Sequence, residues 1–208
     1  LSRAIKTARE TPFPDGVPEY KNQIELVYSS DEIIDRITDI RDGSTIAFDY
    51  ECSALKPEAD GAKIVSCAIC VNGESTFAFP MLSSVIPYFT AVLRNRHIAK
   101  IAANMKYEDR WSRVILKTKI QNWLWDTMLA GHLLDCRPGI NSLKFQAFAK
   151  LGQSRYDLGL EPYLKSKGGG NDINRIHKIP MNILLEYNGM DALLEYILAE
   201  KQIGEFDA

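Results

Sequence analysis

The sequence predicts a mixed α/β fold, on three observations. Strand-like segments at 44–51, 63–71 and 75–80 follow one another, and Asn72-Gly73 between the last two is a strong hairpin signal. After this antiparallel meander, strand-like and helical stretches alternate. With 208 residues, 46% apolar and 25% charged, the chain has enough material for one sizeable core. Hairpin strands first and β-α alternation afterwards imply a mixed sheet with helices on its faces.

Residues 1–22 hold Pro12, Pro14 and Pro18 and few large apolar side chains, which predicts an extended N-terminal arm before a single domain at 23–208. Residues 23–30 look like a strand. Ser30 or Asp31 then starts a helix with apolar Ile33, Ile34, Ile37 and Ile40. Asp42-Gly43 marks a turn into the meander. A helix at 83–95, a short strand at 97–104, a helix at about 106–117 and a strand at about 121–125 follow. Helices are expected near 126–135 and 141–151, with Asp126 as a helix N-cap. A Gly-rich loop at 165–172 precedes a long apolar helix at about 180–200. Phe145 and Phe148 are expected in the core.

No run of 18 apolar residues exists, so no membrane span is expected, and no signal-peptide pattern opens the chain. The expected location is intracellular: cytoplasm or nucleoid, or a host cell if phage-encoded. Because the sequence starts at Leu1 rather than Met, it reads as a processed product or a piece of something longer. A net charge of −2 gives no support for binding through a global positive excess, and leaves room for a local site where cations supply the charge. Cys67 and Cys70 have metal or redox spacing, but i and i+3 on a strand face opposite sides, so they read as small buried hydrophobes. A reducing compartment fits.

The acids are the anomaly. In "IAFDYECSAL", Asp49 and Glu51 are one residue apart on a strand, so both carboxylates point the same way. Burying two like charges side by side costs several kcal/mol unless something compensates. In the last helix Asp191 falls inside the apolar stripe of Tyr187, Met190, Leu194, Ile197 and Leu198, one turn after Tyr187. In the helix after "IAAN", Glu108 lies at the margin of the side set by Tyr107, Trp111, Val114 and Ile115, and Asp109 points about 100° further round. Four acids aimed at apolar structure, with no basic partner in the same motifs, suggest hard divalent cations.

Together these motifs resemble the tyrosine-containing branch of the DEDD superfamily of 3′→5′ exonucleases. "FDYECSAL" looks like its first motif, "NMKYE" its second and "YNGMD" its third, while "WDTMLAGHLLD" and "NSLKFQAFAKLG" are similar to its connecting segments. The resemblance spans about residues 23–203 and is closest to the proofreading domain of family A, polymerase I-like DNA polymerases. It implies a ribonuclease H-like fold, with a mixed five-stranded sheet flanked by helices. It also implies two divalent cations, Mg²⁺ or Mn²⁺. Asp49, Glu51 and Asp191 would hold the tighter ion, and Asp49 the second, with Glu108 acting on this layer directly or through water. Tyr187 would orient the attacking water. Leu55, Asn104 and Tyr107 would contact substrate, Leu55 as a wedge against the terminal bases.

The implied reaction releases 5′-mononucleotides from a single-stranded DNA 3′ end, as in proofreading, with a polymerase domain in the same or another chain. The departure is Glu108, where the family usually has Asp. An RNA-trimming, ribonuclease D-like exonuclease and a non-catalytic nucleic-acid-binding module are the alternatives. His132 and His177 read as ordinary structural residues. Lys165, Lys167, Arg175 and Lys178 flank the Gly-rich loop, either as backbone contacts for nucleic acid or as a solvated charge cluster.

Overall fold

The computed structural model describes residues 18–157, 159–166 and 171–207. Most of the expected arm, and Lys167 in the Gly-rich loop, lie outside them. Tyr20–Gln23 form a short 3-10 helix with Tyr20 buried. The strands are β1 (Ile24–Leu26), β2 (Thr45–Cys52), β3 (Ile64–Val71), β4 (Ser75–Pro80), β5 (Ala99–Ala102) and β6 (Trp123–Asp126). They form one mixed sheet in the order β1-β4-β3-β2-β5-β6. β2, β3 and β4 run as the antiparallel meander, whereas β1–β4, β2–β5 and β5–β6 pair in parallel. The sheet thus has six strands rather than the expected five. The sixth is β1, a three-residue edge strand held by its pairing to β4.

The turn between β3 and β4 is the expected one: Asn72 and Gly73 both have positive φ, 53° and 72°, as a tight hairpin turn demands. Helix α1 (Ser30–Thr38) starts at Ser30, one of the two expected positions. Its N-cap is Ser29, and the Ser30 hydroxyl meets Ser84, 2.7 Å away. α2 (Ile86–Arg94) and α3 (Met105–Val114) complete the layer on that face. Ile33, Ile37, Phe89, Leu93 and Trp111 pack there against Phe48, Tyr50 and Cys67 of the sheet.

The other face carries α4 (Thr127–Leu134), α5 (Leu143–Leu151) and the 26-residue α7 (Met181–Phe206), with the short α6 (Glu161–Leu164) between α5 and α7. Ala47, Cys70 and Ile101 of the sheet pack there against Leu193, Leu194 and Ala147. Cys67 and Cys70 therefore face opposite layers, as strand alternation requires. α7 is buried nearly all round rather than along one stripe, because strands, α4 and α5 enclose it. No described helix is long and apolar enough to cross a membrane.

A buried amide network locks α5 against α4 and α7. Gln146 donates to the carbonyls of Thr127 (3.1 Å) and Asn141 (2.9 Å). Gln202 donates to Thr127 O (2.9 Å) and Gln146 Oε1 (2.7 Å), and accepts from the Trp125 indole (2.8 Å). Fully satisfied polar networks of this kind fix one packing. Gly131 of α4 leaves the room: a Cβ there would sit 2.4 Å from Gln146 Oε1. The hydrogen bonds prevent the amide from swinging aside. Gly131→Ala should therefore cost about 1–3 kcal/mol by overpacking, read as a lower midpoint in urea unfolding.

Candidate metal-binding active site

Residues of β2 alternate between the two layers. Phe48 and Tyr50 enter the core beside α2 and α3, and the Tyr50 hydroxyl meets Ser112 Oγ at 2.9 Å. Asp49 and Glu51 consequently face α7. There Asp191 meets them: one carboxylate oxygen from each of Asp49, Glu51 and Asp191 lies within 4.8 Å of the others. Glu51 and Asp191 are buried, at 8% and 4% exposure. The strand register shifts between Glu51 and Cys52, a bulge of the kind that re-aims side chains beside sites. Oxygens on opposite sides of a bound Mg²⁺ or Mn²⁺ stand about 4–4.5 Å apart, so this triad could hold one such ion.

Neighbouring residues fix two of the three carboxylates, Asp49 and Asp191. Asn188 on α7 donates to Asp49 Oδ2 at 2.7 Å and to its carbonyl at 3.2 Å, and is itself held by Ser66 Oγ at 2.8 Å. Lys144 on α5 places Nζ 3.0 and 3.2 Å from the two oxygens of Asp191. The Tyr156 hydroxyl donates a short hydrogen bond to Asp191 Oδ1. The Lys144 ammonium also stands 4.7 Å from the ring centre of Tyr187, and the rings of Tyr156 and Tyr187 are 5.9 Å apart. Sequence reasoning singled out none of Lys144, Tyr156 and Asn188. Asn188 sits one helical turn before Asp191's neighbour Ala192 and inside the "YNGMD" motif, but nothing in the pattern links Lys144 or Tyr156 to α7.

Glu108, not Asp109, faces inward. It is 2% exposed and its Oε2 has no partner, while the half-buried Asp109 pairs through Oδ2 with Arg113 at 2.5 Å and leaves Oδ1 without one. Glu108 is not among the oxygens gathered in the triad. Its helix is set by Asp126. One oxygen of that carboxylate caps α4 at Met128 N (3.0 Å) and Leu129 N (3.1 Å), and accepts from Asn104 N (3.0 Å). The other accepts from Met105 N at 3.0 Å. Asp126 thus does more than the expected capping, since it also holds the turn into α3. Asn104 adopts the left-handed conformation there (φ 65°), and its side chain makes no cap bond.

Burial and mutual repulsion dominate the electrostatics of the acid cluster. Burial pushes Asp49, Glu51 and Glu108 well above the usual carboxylate range. Asp191 adds to this at Asp49, and Asp49 adds to it at both glutamates. Burial pulls Lys144 down, but the charge and hydrogen bond of Asp191, with Glu51 and Asp49 behind, leave it raised. Burial and the charge of Asp191 push Tyr187 well up, so its phenol stays protonated.

Beside the triad a cleft of about 370 Å³ is lined by Glu51, Leu55, Tyr107, Lys165, Asp172 and Asn174, among others. Leu55 stands 65% exposed at this cleft. The Tyr107 hydroxyl donates to Ala54 O at 3.5 Å. Asn174 ties the chain after the Gly-rich loop to β2, donating to Cys52 O at 2.9 Å. Arg175 lies over the Tyr163 ring, 5.5 Å from its centre, and donates to Pro162 O. Lys178, His132 and His177 are exposed. Phe145 and Phe148, expected in the core, are instead 42% and 56% exposed, because Leu143, Gln146 and Ala147 take the inward face of α5.

The family model described as "3′-5′ exonuclease" matches residues 24–201. The chain belongs to that family. It is therefore a 3′→5′ exonuclease domain. A DNA polymerase of Bacillus phage SP01 is 26% identical over 205 residues, covering 92% of this chain and 22% of that protein. DNA polymerase I of Chloroflexus aurantiacus is 25% identical over 196 residues, covering 89% of this chain and 20% of that one. The exonuclease domain thus spans about a fifth of the length of these relatives. Among solved structures, Trypanosoma brucei RNase D in complex with GMP superposes with a TM-score of 0.68 at 17% identity, over 89% of this chain and 58% of that one. Brucella melitensis NrnC with bound Mg²⁺ gives 0.64 at 16%, over 89% and 81%. Escherichia coli RNase D gives 0.64 at 14%, over 88% and 45%. These likenesses establish the ribonuclease H-like α/β fold.

Proposed function

We propose that the exonuclease domain hydrolyses the terminal phosphodiester at the 3′ end of single-stranded DNA with two divalent cations, Mg²⁺ or Mn²⁺, releasing 5′-mononucleotides in a proofreading role. The observation that carries this reading is the gathering of Asp49, Glu51 and Asp191 oxygens within 4.8 Å, on a strand and a helix far apart in sequence. Those three hold one ion, and Asp49 with Glu108 the second. Cations bound there lower the pKa of water toward neutrality and stabilise the leaving oxygen. Tyr187, held in its protonated form, orients the attacking water and does not act as its base. Leu55 wedges against the terminal base, while Tyr107 and the Asn104 turn shape the cleft that receives it.

Lys144 positions Asp191 beside Tyr187. Lys144→Ala should lower kcat about 10–100-fold, the range found when partners of metal ligands are removed, with a smaller change in KM. Steady-state rates at saturating Mn²⁺ measure the split. An unchanged kcat would reduce Lys144 to a surface ion pair.

Two of the relatives are DNA polymerases, which supports DNA and proofreading with a polymerase domain as partner. The structural likeness to RNase D supports a second reading, an RNA 3′-trimming exonuclease. Digestion of DNA and RNA strands of matched sequence decides between them: faster removal of the DNA 3′ nucleotide is expected, and a reversed preference overturns the DNA reading.

A further inference from the structure

Glu195 lies one helical turn beyond Asp191 on α7, as Asp191 lies one turn beyond Tyr187. None of the roles above uses it. It is 1% exposed, and an uncompensated carboxylate is costly at such a depth. It accepts a hydrogen bond from the backbone N–H of Ala103, just past β5, yet its Oε2 has no partner. Glu108 Oε2, on α3 immediately after that same strand end, is likewise buried and without a partner. The charge of Asp49 acts on both glutamates, and those of Glu108 and Asp191 act on Glu195. Parallel pairing sets Ala47 of β2 opposite Ile101 of β5, so the end of β5 lies beside Asp49, and α3 and α7 each bury one unsatisfied carboxylate oxygen near that strand end.

Buried polar atoms in native structures are almost always satisfied, so two orphans near one strand end point to a ligand. A cation would satisfy both oxygens, and among the described residues no Lys, Arg or His forms an ion pair with either glutamate. Asp49, Glu108 and Glu195 do not gather within 4.8 Å as the triad does. Their wider spacing suits an ion that keeps part of its water shell, as Mg²⁺ characteristically does.

We propose that Glu195 is a fifth carboxylate of the metal centre, which with Glu108 and Asp49 holds the second divalent cation through the waters of that ion. This rests on the two-cation reading above. It also gives a reason for the longer side chain at position 108: Glu108 reaches toward a site whose far wall is Glu195.

The test is calorimetric titration of Mn²⁺ into the full chain and into Glu195→Gln, without nucleic acid, accompanied by melting curves. The unmodified chain should bind two ions. Glu195→Gln should keep the first with unchanged affinity and bind the second about 10–100-fold more weakly. Its Mn²⁺-induced rise in Tm should shrink accordingly. If both ions bind Glu195→Gln as they bind the unmodified chain, the role of Glu195 is refuted and the two-cation reading stands. If the unmodified chain binds fewer than two ions, that reading fails and this inference with it. Should Glu195→Gln melt too early to titrate, Glu195→Met, of similar length and with no polar atom to leave unpaired, replaces it.

Discussion

Asp49→Ala should leave the chain folded and lower metal-dependent release of mononucleotides by about 10³-fold or more, at the upper end of what one electrostatic contact at a reacting centre is worth. The reason is geometric. Asp49 is the acid that belongs to both halves of the centre: it completes the triad with Glu51 and Asp191, and its charge reaches Glu108 and Glu195. On the proposed two-cation reading its removal should weaken both positions at once, whereas loss of Glu108 should affect mainly one. Folding should survive because Asn188 keeps its bond from Ser66 and the α7 packing around it. Asp109→Ala is the control. Asp109 is half-buried, pairs with Arg113 and takes no part in the triad, so its loss should change the rate less than about two-fold.

The second large effect is on stability. Asp49, Glu51 and Glu108 have ordinary values of 3.8 to 4.5, and burial raises all three well above that in the folded chain. Between the ordinary and the raised values, the folded state holds protons that the unfolded state has lost. The metal-free fold therefore loses stability as pH rises through that window, and gains it as pH falls. Tm measured in chelator should drop as pH rises above the ordinary carboxylate range. Added Mn²⁺ should reverse this, because the ion binds the ionised carboxylates and only the folded chain assembles them. At 100 times its dissociation constant one ion adds about 2.7 kcal/mol, roughly 5–10 °C for a chain of this size. A metal-free Tm that climbs with pH, or one that Mn²⁺ leaves unmoved, contradicts this account.

Much of this was legible in the sequence because a few acids stood where solvation rules forbid them. The period of two in β2 put Asp49 and Glu51 on one face, and the helical period put Asp191 beneath Tyr187 and Glu108 inward of Asp109. These are local rules, and the structure obeys them. Lys144, Tyr156 and Asn188 were not legible in the same way. Lys144 sits on a helix whose own pattern gives no sign of what faces it; its meeting with Asp191, 47 residues later, depends on how α5 docks against α7 through Gln146 and Gln202. Glu195 was hidden for a different reason. α7 is enclosed on nearly every side, so a stripe drawn from its most apolar residues says little about which polar positions are buried. The inward reading of Phe145 and Phe148 failed because the small Ala147 and the hydrogen-bonded Gln146 occupy the face that touches α7. The strand read at 23–30 is present as β1 but only three residues long, since a 3-10 helix runs to Gln23 before it.

The most direct measurement is digestion of a single-stranded oligonucleotide labelled separately at each end, in Mn²⁺ and in chelator. The account predicts immediate release of the 3′ label as a 5′-mononucleotide and a one-nucleotide ladder on the 5′-labelled strand, both lost in chelator and in Asp49→Ala. Internal cuts, release from the 5′ end, or undiminished activity in Asp49→Ala would contradict it.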